Sequence, residues 1–264
     1  MQNLKLVVIQ ADIIWEDVDQ NLDNFENKLS QIVERPDLIV LPEMFNTGFT
    51  MNVEKCAEKE NGKTVNWVQQ RAQEKDCVIT GSLLVNEAGK FYNRMFWVNP
   101  DGSYETYDKR HLFRMGFEHH TMSQGLNKKI VKLFDWRINL QICYDLRFPV
   151  WSKNNFINDQ YDYDVLLYVA NWPEVRSFAY KSLLVARAIE NQTYVIWVNR
   201  VGSDGNKVYH SGDSMVIDPL GNIVSQTKPG VEEFLSIELN LKNLYSLREK
   251  FKVGLDWDRF RIDP

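Results

Sequence analysis

The apolar positions of this chain switch between two spacings, and each switch marks an element. Leu4–Ile9 is a continuous, β-branched apolar run, the pattern of a buried strand. Val18–Glu34 then sets Val18, Leu22, Phe25, Leu29, Ile32 and Val33 at steps of three and four, one face of a helix. Pro36-Asp37 breaks that pattern, and Leu38–Leu41 reads as a second buried strand. The opening segment is therefore β-α-β. Continuous apolar strands separated by an amphipathic helix predict a sheet covered by helices.

The same reading extends down the chain. It predicts a helix over Thr64–Lys75 and a strand over Cys77–Val85. Strands Phe91–Val98 and Tyr104–Tyr107 flank Asn99-Pro100-Asp101-Gly102, a turn sequence, so they form a hairpin. Ile138–Cys143, Val165–Ala170 and Tyr194–Asn199 are further strands. A long helix, Val175–Glu190, follows Asn171-Trp172-Pro173, with proline near its start. Ser214–Ile217, Ile223–Val224 and Phe234–Ile237 add short strands, the first two joined by a turn at Asp218-Pro219-Leu220-Gly221-Asn222, and Leu241–Lys250 is a last helix. No repeat, low-complexity tract or linker interrupts this order. One continuous α/β domain over residues 1–264, with mixed sheets, is the expectation.

Composition narrows the partners. The 264 residues are 44% apolar and 25% charged, enough chain to bury a core without staples. The net charge of −5 argues against nucleic acid or an anionic membrane held by bulk charge. Cys56, Cys77 and Cys143 are odd in number, far apart and without a C-x-x-C, which reads as reduced thiols of a cytoplasmic protein. The opening LKLVVIQA lacks a basic segment followed by a long apolar one, so no signal peptide is expected. No stretch reaches the ~18 apolar residues of a spanning helix.

Reactive groups in α/β proteins gather where strands end. Three strand ends carry polar groups here. Glu43 follows a strand and Pro42, which fixes the backbone that aims it. Lys109 closes the second strand of the hairpin, in Tyr107-Asp108-Lys109-Arg110-His111-Leu112. Cys143 ends an apolar strand and is followed by Tyr144, Asp145 and Arg147, a charged setting of the kind that makes a thiolate. Taken singly, these read as a loop acid, a surface base and a core cysteine. Together they supply a base, a cation and a nucleophile, the parts needed for acyl transfer from an amide. The histidines, His111, His119, His120 and His210, lie in no setting that marks a Cys–His pair.

The order LPEMF, YDKRHLF, ICYDLRFP resembles the nitrilase or carbon–nitrogen hydrolase superfamily, from the first strand to about Pro219. The resemblance implies a four-layer α-β-β-α sandwich that pairs through helices into a homodimer, with the tail at about 240–264 as one candidate for that contact. It implies no metal and no organic cofactor. It makes Glu43 the general base, Lys109 the cationic stabiliser and Cys143 the nucleophile. Glu118, in GFEHH, matches a second glutamate that positions substrate or holds the lysine. YVANWP, ARAIEN and NRVG are similar to the bacterial ω-amidase branch, which hydrolyses the terminal amide of 2-oxo acids such as 2-oxoglutaramate.

Such a substrate also carries a carboxylate and a ketone. Arg147 is one candidate to read the carboxylate, its other reading being a buried partner of Asp145 or Glu190. Arg176 is a second. Phe45, Phe117, Tyr144 and Trp172 are candidates for the pocket wall, and Asn171 and Trp172 sit at the rim of the same strand ends. Deaminated glutathione and N-carbamoyl amino acids remain alternative substrates. Two other readings stand beside the amidase: a non-catalytic binding protein, and a metal site on Glu118, His119 and His120, which adjacent histidines serve poorly.

Overall fold

Leu4, Leu6 and Val8 point to one side of the first strand, and Val7 and Ile9 to the other; the architecture follows from that division. The computed structural model describes residues 1–262. In chain order its main elements are β1 (Leu4–Gln10), α1 (Val18–Ser30), β2 (Leu38–Val40), α2 (Lys63–Lys75), β3 (Val78–Glu87), β4 (Lys90–Val98) and β5 (Tyr104–Asp108). Then come β6 (Ile130–Leu133), β7 (Trp136–Ile142), β8 (Val165–Ala170), α3 (Ser177–Asn191), β9 (Tyr194–Asn199), β10 (Met215–Ile217), β11 (Ile223–Gln226), β12 (Glu233–Leu239) and α4 (Leu241–Lys250).

Two mixed sheets result. One runs β12-β1-β2-β3-β4-β5, with β1, β2 and β3 parallel and antiparallel strands at its edges. The other runs β11-β10-β9-β8-β7-β6 on the same plan, with β7, β8 and β9 parallel. Leu4, Leu6, Val8, Leu38 and Val40 join the core that lies against the second sheet. Val7, Ile9, Ile39 and Leu41 face outward, under Leu22, Phe25 and Leu29 of α1 and Val65, Val68 and Ala72 of α2. On the far side, Tyr180, Leu184 and Ala188 of α3 cover the second sheet. Helix, sheet, sheet, helix is the four-layer sandwich.

Several boundaries differ from the pattern. The first helix stops at Ser30. Ile32 still packs inward from the turn beyond it, which is why the apolar spacing outruns the helix, while Val33 is 92% exposed. The helix after Pro173 begins with a 3₁₀ turn, Glu174–Arg176, before α3. The β7 strand ends at Ile142, and Cys143 opens a 3₁₀ turn, Cys143–Arg147. Sequence spacing did not mark β6, the short Val201–Ser203/Tyr209–Ser211 hairpin, or the four-residue helices at Val53–Cys56, Glu118–Thr121 and Pro149–Ser152.

The tail section folds on its own chain. Leu241 and Leu244 enter the core, and Arg248 is buried against Asp164 at 2.7 Å. Trp257 packs on Tyr161 and under the Lys153 ammonium, 3.5 Å from its ring centre. Positions 263 and 264 of the expected tail contact lie outside the described residues. No helix among the described residues is long and apolar enough to cross a membrane.

Candidate active site

The parallel strands of the two sheets end at one place, and their loops bring Glu43, Lys109, Cys143 and Asn171 together. Glu43 follows β2, Lys109 follows β5, Cys143 follows β7 and Asn171 follows β8. Glu43, Lys109 and Glu118 are fully buried. The Lys109 ammonium donates to Glu43 Oε1 at 2.9 Å and lies 3.1 and 3.0 Å from the two Glu118 oxygens. Glu118 opens the short helix Glu118–Thr121, and its Oε2 accepts the Phe113 N–H at 2.6 Å. Glu43 Oε2 accepts the Asn171 N–H at 2.7 Å, and the Asn171 side chain donates to the Glu43 carbonyl. Glu43 and the backbone of Asn171 act on the Cys143 thiol in opposite directions, Glu43 raising it and Asn171 lowering it.

Asp145 holds the Cys143–Arg147 turn in place. Its carboxylate accepts from the Tyr107 hydroxyl at 2.7 Å, the His111 N–H at 2.9 Å and the Ile142 N–H at 3.0 Å. The turn is thereby tied to the end of β5, the strand that carries Lys109. Cys143 itself has φ +45°, a left-handed conformation that L residues avoid and that clusters at functional sites.

The charges decide which proton sits where. Burial, and next the Glu43 carboxylate, push the Cys143 thiol well up, while Lys109 pulls it down. Burial pulls the Lys109 ammonium down, but Glu118 and Glu43 outweigh it and hold the ammonium above its ordinary range. Burial, opposed by Lys109, raises Glu118. The shifts on Cys143 and Lys109 both favour a thiol beside an ammonium. The expected thiolate-favouring setting is corrected in its cause: Asp145 is committed to the turn and Arg147 is exposed, so neither charges the sulfur.

Cys143 lines a cleft of about 670 Å³, with Tyr144, Arg147, Asn171, Trp172 and Arg176. The Arg147 guanidinium lies over the Trp172 ring at 5.1 Å, and that of Arg176 over Phe113 at 5.3 Å. Neither has a carboxylate partner among the described residues, so Arg147 is no buried partner of Asp145 or Glu190. Glu190 pairs instead with Arg187 at 3.0 Å. Phe117 is 62% exposed at the rim. Phe45 is a correction: its ring packs on Phe25 and Trp67 beneath α1 and α2, on the far side of the sheet from the cleft. Glu118 does not join His119 and His120, because its carboxylate turns inward to Lys109 and the Phe113 N–H. No group of three His, Cys, Asp or Glu residues among the described residues is placed to hold a metal.

Some contributors were missed. Phe49 lies 5.0 Å under the Lys109 ammonium, and Phe113 and Trp15 wall the cleft. Asn93 donates to Glu43 Oε1 at 2.8 Å and to Glu118 Oε1 at 3.2 Å. A polar residue two before Met95, on the inward parity of β4, was the available signal.

The pattern described as carbon–nitrogen hydrolase matches residues 5–249. The chain is 46% identical to an omega-amidase, YafV, of Yersinia enterocolitica, over 99% of this chain and all of that one. It is 30% identical to a 2-oxoglutaramate amidase of Bacillus subtilis, over 93% of this chain and 94% of that one. A crystal structure of a CN-hydrolase superfamily protein from Xanthomonas campestris, XC1258, with an arsenic adduct in its active site, is 40% identical and superposes over the whole of both chains with a TM-score of 0.97.

Proposed function

The chain belongs to the carbon–nitrogen hydrolase family and is an amide-hydrolysing enzyme, and we propose that it is an ω-amidase acting through Cys143. One observation supports this most: a buried carboxylate, an ammonium and a thiol meet at the floor of a cleft that also holds two guanidinium groups without carboxylate partners. The substrate class is the terminal amide of a 2-oxo acid such as 2-oxoglutaramate, released as ammonia and the 2-oxo dicarboxylate.

In this reading Glu43 takes the Cys143 proton as sulfur attacks the amide carbon, so no standing thiolate is needed. The oxyanion forms between the Lys109 ammonium and the backbone N–H of Tyr144. A donor of that kind is worth on the order of 10²–10³ in rate. Glu43 gives its proton to the leaving ammonia, then draws one from the water that cleaves the thioester. Glu118 holds Lys109 charged and in place. Arg147 and Arg176 hold the distal carboxylate, each steadied on an aromatic ring. Phe117, Tyr144, Trp172 and Asn171 shape the space between. The enzyme works as one domain over residues 1–264, without a metal or organic cofactor. It acts in the cytoplasm, where its three unpaired cysteines stay reduced, and as a homodimer paired through its outer helices.

The test is ammonia release from 2-oxoglutaramate, glutamine and deaminated glutathione by the wild type and by Cys143→Ala. Release confined to the 2-oxo acid amide and lost in Cys143→Ala is expected, as is a KM rise of about tenfold or more in Arg147→Ala or Arg176→Ala from loss of a charge-assisted contact. Turnover of deaminated glutathione alone would overturn the branch, and turnover by Cys143→Ala would overturn the nucleophile.

A further inference from the structure

Two carboxylates share one ammonium in this site, and all three groups are fully buried. Ionised together, Glu43 and Glu118 carry one negative charge more than Lys109 balances. In a buried site that excess is best met by neutral hydrogen-bond donors. Three backbone or amide groups meet it: the Asn171 N–H on Glu43, the Phe113 N–H on Glu118, and the Asn93 side-chain amide on both. Asn93 is the group that bridges the pair. Its backbone carbonyl also accepts the Lys109 N–H at 3.0 Å, so a single residue of β4 touches Glu43, Glu118 and Lys109.

The amide can face only one way. With its oxygen toward the two carboxylates it would repel both, so nitrogen must face them, one hydrogen to each. Its own Oδ1 is then left buried with no partner among the described residues. The amide nitrogen, not the oxygen, is the end that meets the two carboxylates.

The contacts on Glu43 show what that end does. Oε1 accepts from both Lys109 and Asn93, at 2.9 and 2.8 Å, which fills its two lone pairs. Oε2 accepts a single N–H, from Asn171. A carboxylate so loaded takes its next proton on Oε2. We infer that Asn93 is a positioning residue that closes Oε1 of Glu43 to protons, so that Oε2 alone exchanges a proton with Cys143, the leaving ammonia and water. This rests on the reading of Glu43 as general base. The carboxylate need not rotate between the two half-reactions, because the same oxygen receives and returns the proton each time.

The experiment compares wild type, Asn93→Leu and Asn93→Asp by steady-state kinetics on 2-oxoglutaramate from low to high pH, with thermal melts beside them. Leucine keeps the volume and removes both donors. The inference expects kcat to fall on the order of 10–100-fold, the scale of a hydrogen bond to a charged group. KM should stay within about twofold, and the low-pH limb of kcat/KM should move to higher pH, because the lost donors had favoured the charged carboxylates. Asn93→Asp adds a third carboxylate facing Glu43, Glu118, Lys109 and Cys143. It should be nearly inactive at high pH and partly recover as the pH falls and its own carboxyl regains a proton to donate. A folded Asn93→Leu with wild-type kcat would overturn the inference. So would losses in both variants that track the melts with the pH limb unmoved, the mark of a merely structural residue. Full activity in Cys143→Ala or Glu43→Gln would instead remove the underlying mechanism, and is read separately.

Discussion

Cys143 sits on a backbone of φ +45° between a carboxylate and an ammonium, and those two neighbours pull its thiol in opposite directions. Burial and Glu43 favour the thiol, and Lys109 favours the thiolate. This makes a signed prediction. In Glu43→Gln the anion beside sulfur is gone while Lys109 remains, so the thiolate is opposed by burial alone. The ultraviolet thiolate absorbance, taken as a difference from Cys143→Ala, should appear at lower pH in Glu43→Gln than in wild type. Amide turnover should fall by at least about 10², since the proposed base is missing. A more reactive sulfur in a less active enzyme separates the two jobs that a simple thiolate picture merges. If the thiolate appears at the same pH or higher, Glu43 does not face the sulfur. Glu43, Lys109 and Cys143 stood out because each lies at or just past the end of a strand, and the order of their three motifs joined them into one candidate site. Asn93 and the true position of Phe45 were harder to read: Asn93 sits mid-strand, marked only by its parity with Met95, and Phe45 lies in a turn whose direction the sequence pattern does not set.

The elements show the same limit in another form. Long periodic stretches such as β8, β9 and α4 fall where their apolar spacing puts them. The pieces that build the site are short: a 3₁₀ turn after β7, another before α3, and the four-residue helix at Glu118. Such turns are set by side-chain and tertiary hydrogen bonds, not by periodicity, so a pattern cannot announce them. Asp145 is the clearest instance. In sequence it is one more charge after the cysteine, yet in the fold it fastens the Cys143–Arg147 turn to Ile142, His111 and Tyr107. Asp145→Ala should leave those buried donors unmet and cost about 3 kcal/mol in chemical denaturation. It should also lower kcat by more than that loss of folded protein accounts for, since sulfur and Lys109 lose their shared anchor. Wild-type kcat in the folded fraction of Asp145→Ala would show that the turn holds its shape without it.

At the scale of the molecule, the two sheets repeat one plan, three parallel strands with antiparallel edges, and they face each other so that their carboxyl ends share one floor. The site needs both: Glu43 and Lys109 come from one sheet, Cys143 and Asn171 from the other. That leaves the outer helix layer free for a second task. α3 covers its sheet with Tyr180, Leu184 and Ala188, yet Phe178 and Ile189 on it are 85% and 51% exposed. The turn between β10 and β11 lies against the same helix, since a side chain at Gly221 would meet Ile189 and Val185. It adds Leu220, 62% exposed, and half-exposed Ile223. Scattered apolar side chains are ordinary on a surface, but a strip on one outer face is the form an interface takes. A second copy of this chain is the occupant expected from the helix-paired arrangement proposed above. Sedimentation equilibrium should give twice the 31.1 kDa chain mass. Ile189→Glu with Leu220→Glu should shift the enzyme toward single chains, because two copies of each new charge would then be buried face to face. A wild-type enzyme that sediments at 31.1 kDa across the accessible concentrations would leave the strip without that partner and the homodimer without support.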